Sequence, residues 1–235
     1  MGTYSCADPK ALVTTNTKAG IETRFYLSKN AKPNEERPSH ISQRRAQILE
    51  KAAHLFCVKG YDSTSMSDIA DAVGITKAGL YYFVESKEHL LYLITDYGLD
   101  LLDETVLEPL KDVEGSVELL EKLIVLHVNM VIHRPREVTI ILHERTALTG
   151  LYREKILQRK KAYIEYVRDL LVRLQKEGLA RDLDATAATF FLLGAMNWIY
   201  QWYKVDGRLT EEDLVKELTF IFKHSFLKNQ QGTHA

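Results

Sequence analysis

The 235-residue chain predicts an all-α fold. Three observations carry that expectation. Apolar residues recur at helical spacing of three and four along most of the chain. Alternating Val- and Thr-rich runs of the kind that build strands are scarce. Twelve glycines and five prolines are too few to punctuate a fold of many short strands. The length allows one large domain or two small ones, each with its own core.

The elements follow in order. Residues 1–41 are polar and aperiodic, and hold Pro9, Pro33 and Pro38, so a disordered leader is expected there. Its basic residues Arg24, Lys29, Lys32 and Arg37 form, as the alternative, a loose cationic arm. From Ser42 the texture changes. Ile48, Ala52, Leu55 and Phe56 make the stripe of an amphipathic helix that Gly60 ends. Met66, Ile69, Ala70 and Val73 mark a second helix, with Ser65 as N-cap, Asp68 completing a capping box, and Gly74 as the stop. Thr76 caps a third helix whose inner face is Leu80, Phe83 and Val84. Further helices are expected at 86–107, 116–133, 135–147, 149–177, 185–204 and 210–227. Pro135 suits a first helical turn, and Asp184 and Thr210 suit N-caps.

Two short helices joined at Gly74-Ile75 have the geometry of a helix-turn-helix over Ser65–Val84. B-DNA admits such a second helix into its major groove. With Leu80 and Val84 buried, Lys77, Ala78, Tyr81 and Tyr82 remain outside. Lys77 sits near the helix N-terminus, where it reaches a phosphate or a base edge, and the two tyrosines offer hydroxyls to phosphate oxygens. Gly79 costs helix stability, which points either to close DNA approach or to close packing on the preceding helix. Thr64 and Ser65 place hydroxyls and free N–H groups at a helix start, which suits a phosphate, and Lys87 offers a cation on the same side. The net charge of −1 means that DNA binding must rest on such a local patch.

The run RRAQILEKAAHLFCVKGYDSTSMSDIADAVGITKAGLYYFVESKEHLL resembles the DNA-binding domain of the tetracycline-repressor (TetR) family. The resemblance covers residues 42–102 and rests on four stretches. These are A-x-x-L-F-x-x-x-G-Y, T-S-M-x-D-I-A, G-I-T-K-A-G-L-Y-Y and S-K-E. It implies Thr64, Thr76, Lys77, Tyr81, Tyr82 and Lys87 as DNA contacts. The chain leaves the family pattern at Phe83, Val84 and Glu85, and Glu85 brings a negative charge close to phosphates.

The resemblance also implies that residues 103–228 dimerise and hold an effector. The residues agree in part. Phe190, Phe191, Leu193, Gly194, Ala195, Trp198, Ile199 and Trp202 make the eighth helix apolar almost all round, so it must be covered on several sides. With the last helix it is the expected four-helix interface of a homodimer, which would set two reading helices about one DNA turn apart on a near-palindromic operator. Asn129, Met130, His133, Arg145, Tyr163, Tyr166, Asn197, Trp198 and Gln201 are the candidate effector contacts, polar groups set among apolar ones. The segment LLGAMNWIYQWYKVDGRLT is similar to that of family members that respond to acyl-CoA thioesters of lipid or steroid catabolism. Arg145, Arg159, Lys160 and Arg208 are candidates for the CoA phosphates.

Other classes fare poorly. His143-Glu144 begins like a zinc-protease helix, but Ala147 stands where a second histidine is needed. His127, His133 and His143 lack ligand spacing, and neither a glycine-rich phosphate loop nor a nucleophile elbow is present. Cys6 and Cys57 fit no zinc or disulfide framework. The most apolar stretch, Ala187–Tyr203, is shorter than the ~20 residues of a membrane span. The expectation is a cytoplasmic, non-enzymatic, dimeric repressor without cofactor or metal, released from operator DNA by a small molecule. The alternative is an all-α small-molecule-binding module with a vestigial DNA-binding head.

Overall fold

The computed structural model describes residues 40–143 and 147–228. Most of the expected leader and the candidate Arg145 lie outside those residues. Nine α-helices form among the described residues: α1 His40–Lys59, α2 Met66–Val73, α3 Lys77–Phe83, α4 Lys87–Leu102, α5 Ser116–His133, α6 Pro135–His143, α7 Gly150–Lys176, α8 Ala185–Trp202 and α9 Glu211–Phe226. No strand is present among them, only an isolated bridge between Ala180 and Leu227.

The described residues divide into two compact units, one within 40–98 and 136–156, the other within 99–135 and 157–228. Residues 136–156, expected in the second domain, therefore belong with the first unit. Contacts between α6 and both α1 and α4 account for this. The Cys57 thiol lies 3.6 Å from the Arg136 carbonyl. The absent side chain of Gly98 leaves room for Ile141, whose Cδ1 would stand 2.8 Å from an added Cβ.

In the first unit the expected stripe of α1 is the core. Leu55 of that stripe is only half-buried, while Ile48, Ala52 and Phe56 of α1, Ile69 and Ala70 of α2 and Leu80 of α3 are all buried, with α1 packed on α2 and α2 on α3. Each large side chain so buried contributes about 1.5–3 kcal/mol. Gly60 ends α1 in a left-handed conformation, and its N–H returns to the Phe56 carbonyl. Ser65 caps α2 as a full capping box: the Asp68 N–H donates to its hydroxyl, and Asp68 accepts from the Ser65 N–H at 2.8 Å. The Ser65 hydroxyl and N–H, both donating to the carboxylate, and the Lys59 ammonium at 3.1 Å hold the Asp68 carboxyl well below its usual range.

In the second unit α5 packs against α8 and α9. Its buried residues Leu120, Leu123, Ile124, Val128 and Val131 form the spine of the core. Arg173 of α7 donates to the Ser116 hydroxyl at 2.7 Å and to the Glu114 carbonyl at 3.0 Å, tying the start of α5 to α7. Asp184 and Thr210 cap α8 and α9 as expected.

The expected helix over 86–107 stops being α-helical at Leu102. One π turn, Asp103–Leu107, and one 3-10 turn, Glu108–Leu110, replace its end. Pro109 disfavours helix at the residue before it, and the Thr105 hydroxyl donates to the Leu101 carbonyl, an interaction that bends helices.

Candidate nucleic-acid interface and effector core

The turn between α2 and α3 is built by Gly74. At φ 73° it takes the left-handed conformation, its N–H bonds the Asp71 carbonyl, and the Ile75 N–H bonds the Ala70 carbonyl. Thr76 then caps α3, its hydroxyl accepting from the Gly79 N–H at 3.0 Å. Of α3 itself only Leu80 is buried, and the following Val84 joins it in the core. Thr76, Lys77, Ala78, Tyr81 and Tyr82 are exposed, and Tyr82 keeps 76% of its surface. Gly79 meets only its own cap. An added Cβ would lie 3.2 Å from the Thr76 hydroxyl and 3.9 Å from the Ile75 Cβ, with no atom of α2 near it. Packing on the preceding helix therefore does not explain this glycine.

Two expected phosphate anchors have other tasks. Thr64 is buried, with its hydroxyl donating to the Gly60 carbonyl at 2.8 Å. It closes the loop between α1 and α2 and does not face outward. The Lys87 ammonium donates to the carbonyls of Tyr61 and Thr64 at 2.9 and 3.0 Å, and sits 4.2 Å from the Tyr61 ring centroid. It braces the same loop from α4. Ser65 remains exposed at the start of α2, engaged in its capping box.

Glu85 follows the extended C-cap Val84. Its N–H donates to His89 Nδ1 at 3.2 Å, and its carboxylate accepts from the Tyr152 hydroxyl at 3.4 Å. His89 and Tyr92 stack on Tyr152. The sequence offers no periodic signal for this cluster, because its members come from helices some 60 residues apart.

The effector candidates separate into three groups. Tyr163 and Asn197 meet through His127, which is buried at 4% exposure. The Tyr163 hydroxyl lies 2.7 Å from Nδ1 and the Asn197 carbonyl oxygen 3.0 Å from Nε2. Burial pushes the imidazole down to about 4, against the opposing pull of Asn197, so the ring is neutral near pH 7. One assignment satisfies all three groups: Tyr163 donates to Nδ1, and Nε2–H donates to Asn197. Burial pushes Tyr163 up as well. His127 is not among the expected contacts. Its only sequence signal is a histidine on the buried stripe of α5.

Met130 is buried, Tyr166 and Gln201 are half-buried, and the Asn129 carbonyl oxygen is buried without a hydrogen bond among the described residues. His133 stands apart, exposed and paired with Glu211 at 2.9 Å. Trp198 stands apart too, 59% exposed on an outer face of α8 with Phe190, Phe191 and Trp202. That helix is therefore not covered on all sides within one chain. Arg159, a candidate for CoA phosphate, is held by Asp100 at 2.9 Å and by Asp103. No group of metal-ligating residues forms among the described residues, and no helix there is long and apolar enough to cross a membrane.

A capped three-helix unit exposing Lys77, Ala78, Tyr81 and Tyr82 on its last short helix, followed by a larger helical unit, defines a helix-turn-helix regulator. The chain belongs to the TetR family. Residues 48–92 match the family model "Bacterial regulatory proteins, tetR family", and residues 114–225 match "Tetracyclin repressor-like, C-terminal domain". The HTH-type transcriptional repressor KstR2 of Mycolicibacterium smegmatis is 27% identical over 204 residues, covering 84% of this chain and 98% of that protein. The crystal structure of AibR in complex with isovaleryl coenzyme A and operator DNA is similar at TM-score 0.72 and 41% identity, covering 76% of this chain and 97% of that one. The ketosteroid transcriptional regulator KstR2 of Mycobacterium tuberculosis is similar at TM-score 0.73 and 26% identity, covering 79% and 96%.

Proposed function

We propose that the protein is a homodimeric transcriptional repressor that binds operator DNA through α2 and α3 and leaves it when an acyl-CoA thioester binds. The observation that carries this reading is the intact α2–α3 head joined to a second unit that continues the same alignment. AibR, whose crystal structure holds both isovaleryl coenzyme A and operator DNA, is 41% identical and covered over 97% of its length. The reading head is residues 42–102, and residues 103–228 form the effector and dimer domain. Residues 136–156 brace the head. Thr76, Lys77, Ala78, Gly79, Tyr81 and Tyr82 face the DNA. The buried His127–Tyr163–Asn197 cluster supplies orienting polar groups within an otherwise apolar core, as effector sites require. The protein works in the cytoplasm and has no catalytic role.

The test is a mobility shift on the DNA upstream of the protein's own gene, with increasing salt and with added isovaleryl-CoA and longer acyl-CoA thioesters. Specific binding that weakens steeply with salt supports the reading. Release by a thioester, with matching heat in titration calorimetry, supports the effector class. Binding of thioester without any DNA binding favours the helical binding module with a vestigial head.

A further inference from the structure

We propose that the start of α7, with Thr149 and Tyr152, is a latch that positions the reading helix through α4. The proposal rests on the DNA-binding role given above.

The reading helix needs an external hold. α3 has seven residues and buries one of them, Leu80, so little of its own surface fixes its orientation. The turn into α4 supplies that hold. Val84 is buried, and the residues beyond it are gripped from two sides. On one side Lys87 donates to the Tyr61 and Thr64 carbonyls. On the other side Glu88 accepts from both the Thr149 N–H, at 2.6 Å, and the Thr149 hydroxyl, at 2.8 Å. A carboxylate is thereby held at the start of α7, where the helix dipole favours it. Three residues further on, Tyr152 lies flat against His89 at 5.7 Å and against Tyr92 at 4.5 Å, and its hydroxyl reaches Glu85 at 3.4 Å. All these residues belong to the first compact unit.

The Glu85 departure from the family pattern then has a use. Its backbone N–H and its carboxylate both tie the α3–α4 turn into this stack, through His89 and Tyr152. Glu88 makes the shorter bonds, and Glu85 adds the contact nearest to α3.

The experiment measures operator affinity of the full-length protein by fluorescence anisotropy, and amide hydrogen exchange of α3. The variants are Glu88→Ala, Glu88→Gln and Tyr152→Ala. With a positioning role, Glu88→Ala weakens operator binding about tenfold, the scale of one lost charge-assisted hydrogen bond. Tyr152→Ala, which loses two ring stacks, weakens it by a similar factor. Binding to non-specific DNA stays within about twofold, since backbone contacts need less exact placement. Amides of α3 exchange faster while those of α5 and α8 do not change. Glu88→Gln recovers most of the affinity, because its amide oxygen still accepts from Thr149. Wild-type operator affinity and unchanged α3 exchange in both alanine variants overturn the latch. If the wild-type protein fails to bind DNA, the repressor reading falls, and the exchange data still decide whether the latch holds α3.

Discussion

Lys77 and Tyr82 occupy the exposed face of α3, and no ion pair among the described residues engages Lys77. A cation so placed is available to a phosphate. Lys77→Ala should weaken operator binding and lower the slope of log affinity against log salt by about one. Anisotropy at several salt concentrations measures both, and an unchanged slope would place Lys77 off the backbone. His127 shows the opposite situation, a titratable group with every polar atom engaged. Its folded value of about 4 lies below the ordinary 6.5. In that window the unfolded chain binds a proton that the folded protein refuses. Stability from this residue is therefore fully present above pH 6.5 and is lost as pH falls toward 4. The loss amounts to about 3 kcal/mol over the window. Urea unfolding at pH 7.5 and pH 5 should show a smaller loss in His127→Gln than in the wild type. Equal losses would place the acid sensitivity elsewhere.

The short elements of the head are legible in the sequence because their signals are local. Ser65 with Asp68, Gly74, and Thr76 with Gly79 each act within three to five residues, and the structure places each cap where the spacing puts it. Gly74→Ala should cost about 1–2 kcal/mol, since the left-handed turn at φ 73° crowds any Cβ against backbone even though no other atom lies within 4 Å. Thermal unfolding reads this, and an unchanged midpoint would mean that the turn relaxes. The features that are not legible depend on long-range partners. In sequence Thr64 and Lys87 look like free anchors, but Lys87 finds its acceptors 23 and 26 residues away. His127 looks like an isolated histidine, but its partners lie 36 and 70 residues on. Helical periodicity reports which face is buried; it does not report what a polar group on that face will meet. The end of α4 departs from expectation for a nearer reason. The apolar pattern runs on to Leu107, whereas Pro109 and the Thr105 back-bond set the backbone there.

At the scale of the whole molecule, the outer face of α8 is an apolar surface that a second copy would cover. Phe190, Phe191, Trp198 and Trp202 are 56%, 60%, 59% and 49% exposed, and Phe220 and Ile221 of α9 add to the apolar surface. An aromatic side chain has roughly 150–250 Å² to bury, so these half-exposed rings together leave about 400–700 Å² of apolar surface, at the upper end of what a monomer ordinarily shows to water. A two-fold axis covers such a patch with its own copy. Gly194 lies on this face, one turn from Phe190 and one turn from Trp198. It is exposed, and an added Cβ there meets nothing within 4 Å in the single chain. Gly194→Leu therefore separates folding from assembly. Within one protomer the change removes a helix glycine, a gain of up to about 1 kcal/mol. Across the dimer it fills the space that lets two helices approach. The variant should be monomeric by sedimentation at concentrations where the wild type is a dimer, yet fully helical by circular dichroism. Its operator affinity should fall by roughly 10²–10⁴-fold, because the second reading head is no longer tethered beside the first. A Gly194→Leu protein that remains dimeric would place the interface away from this face. One that is monomeric but keeps wild-type affinity would mean that a single head carries the binding.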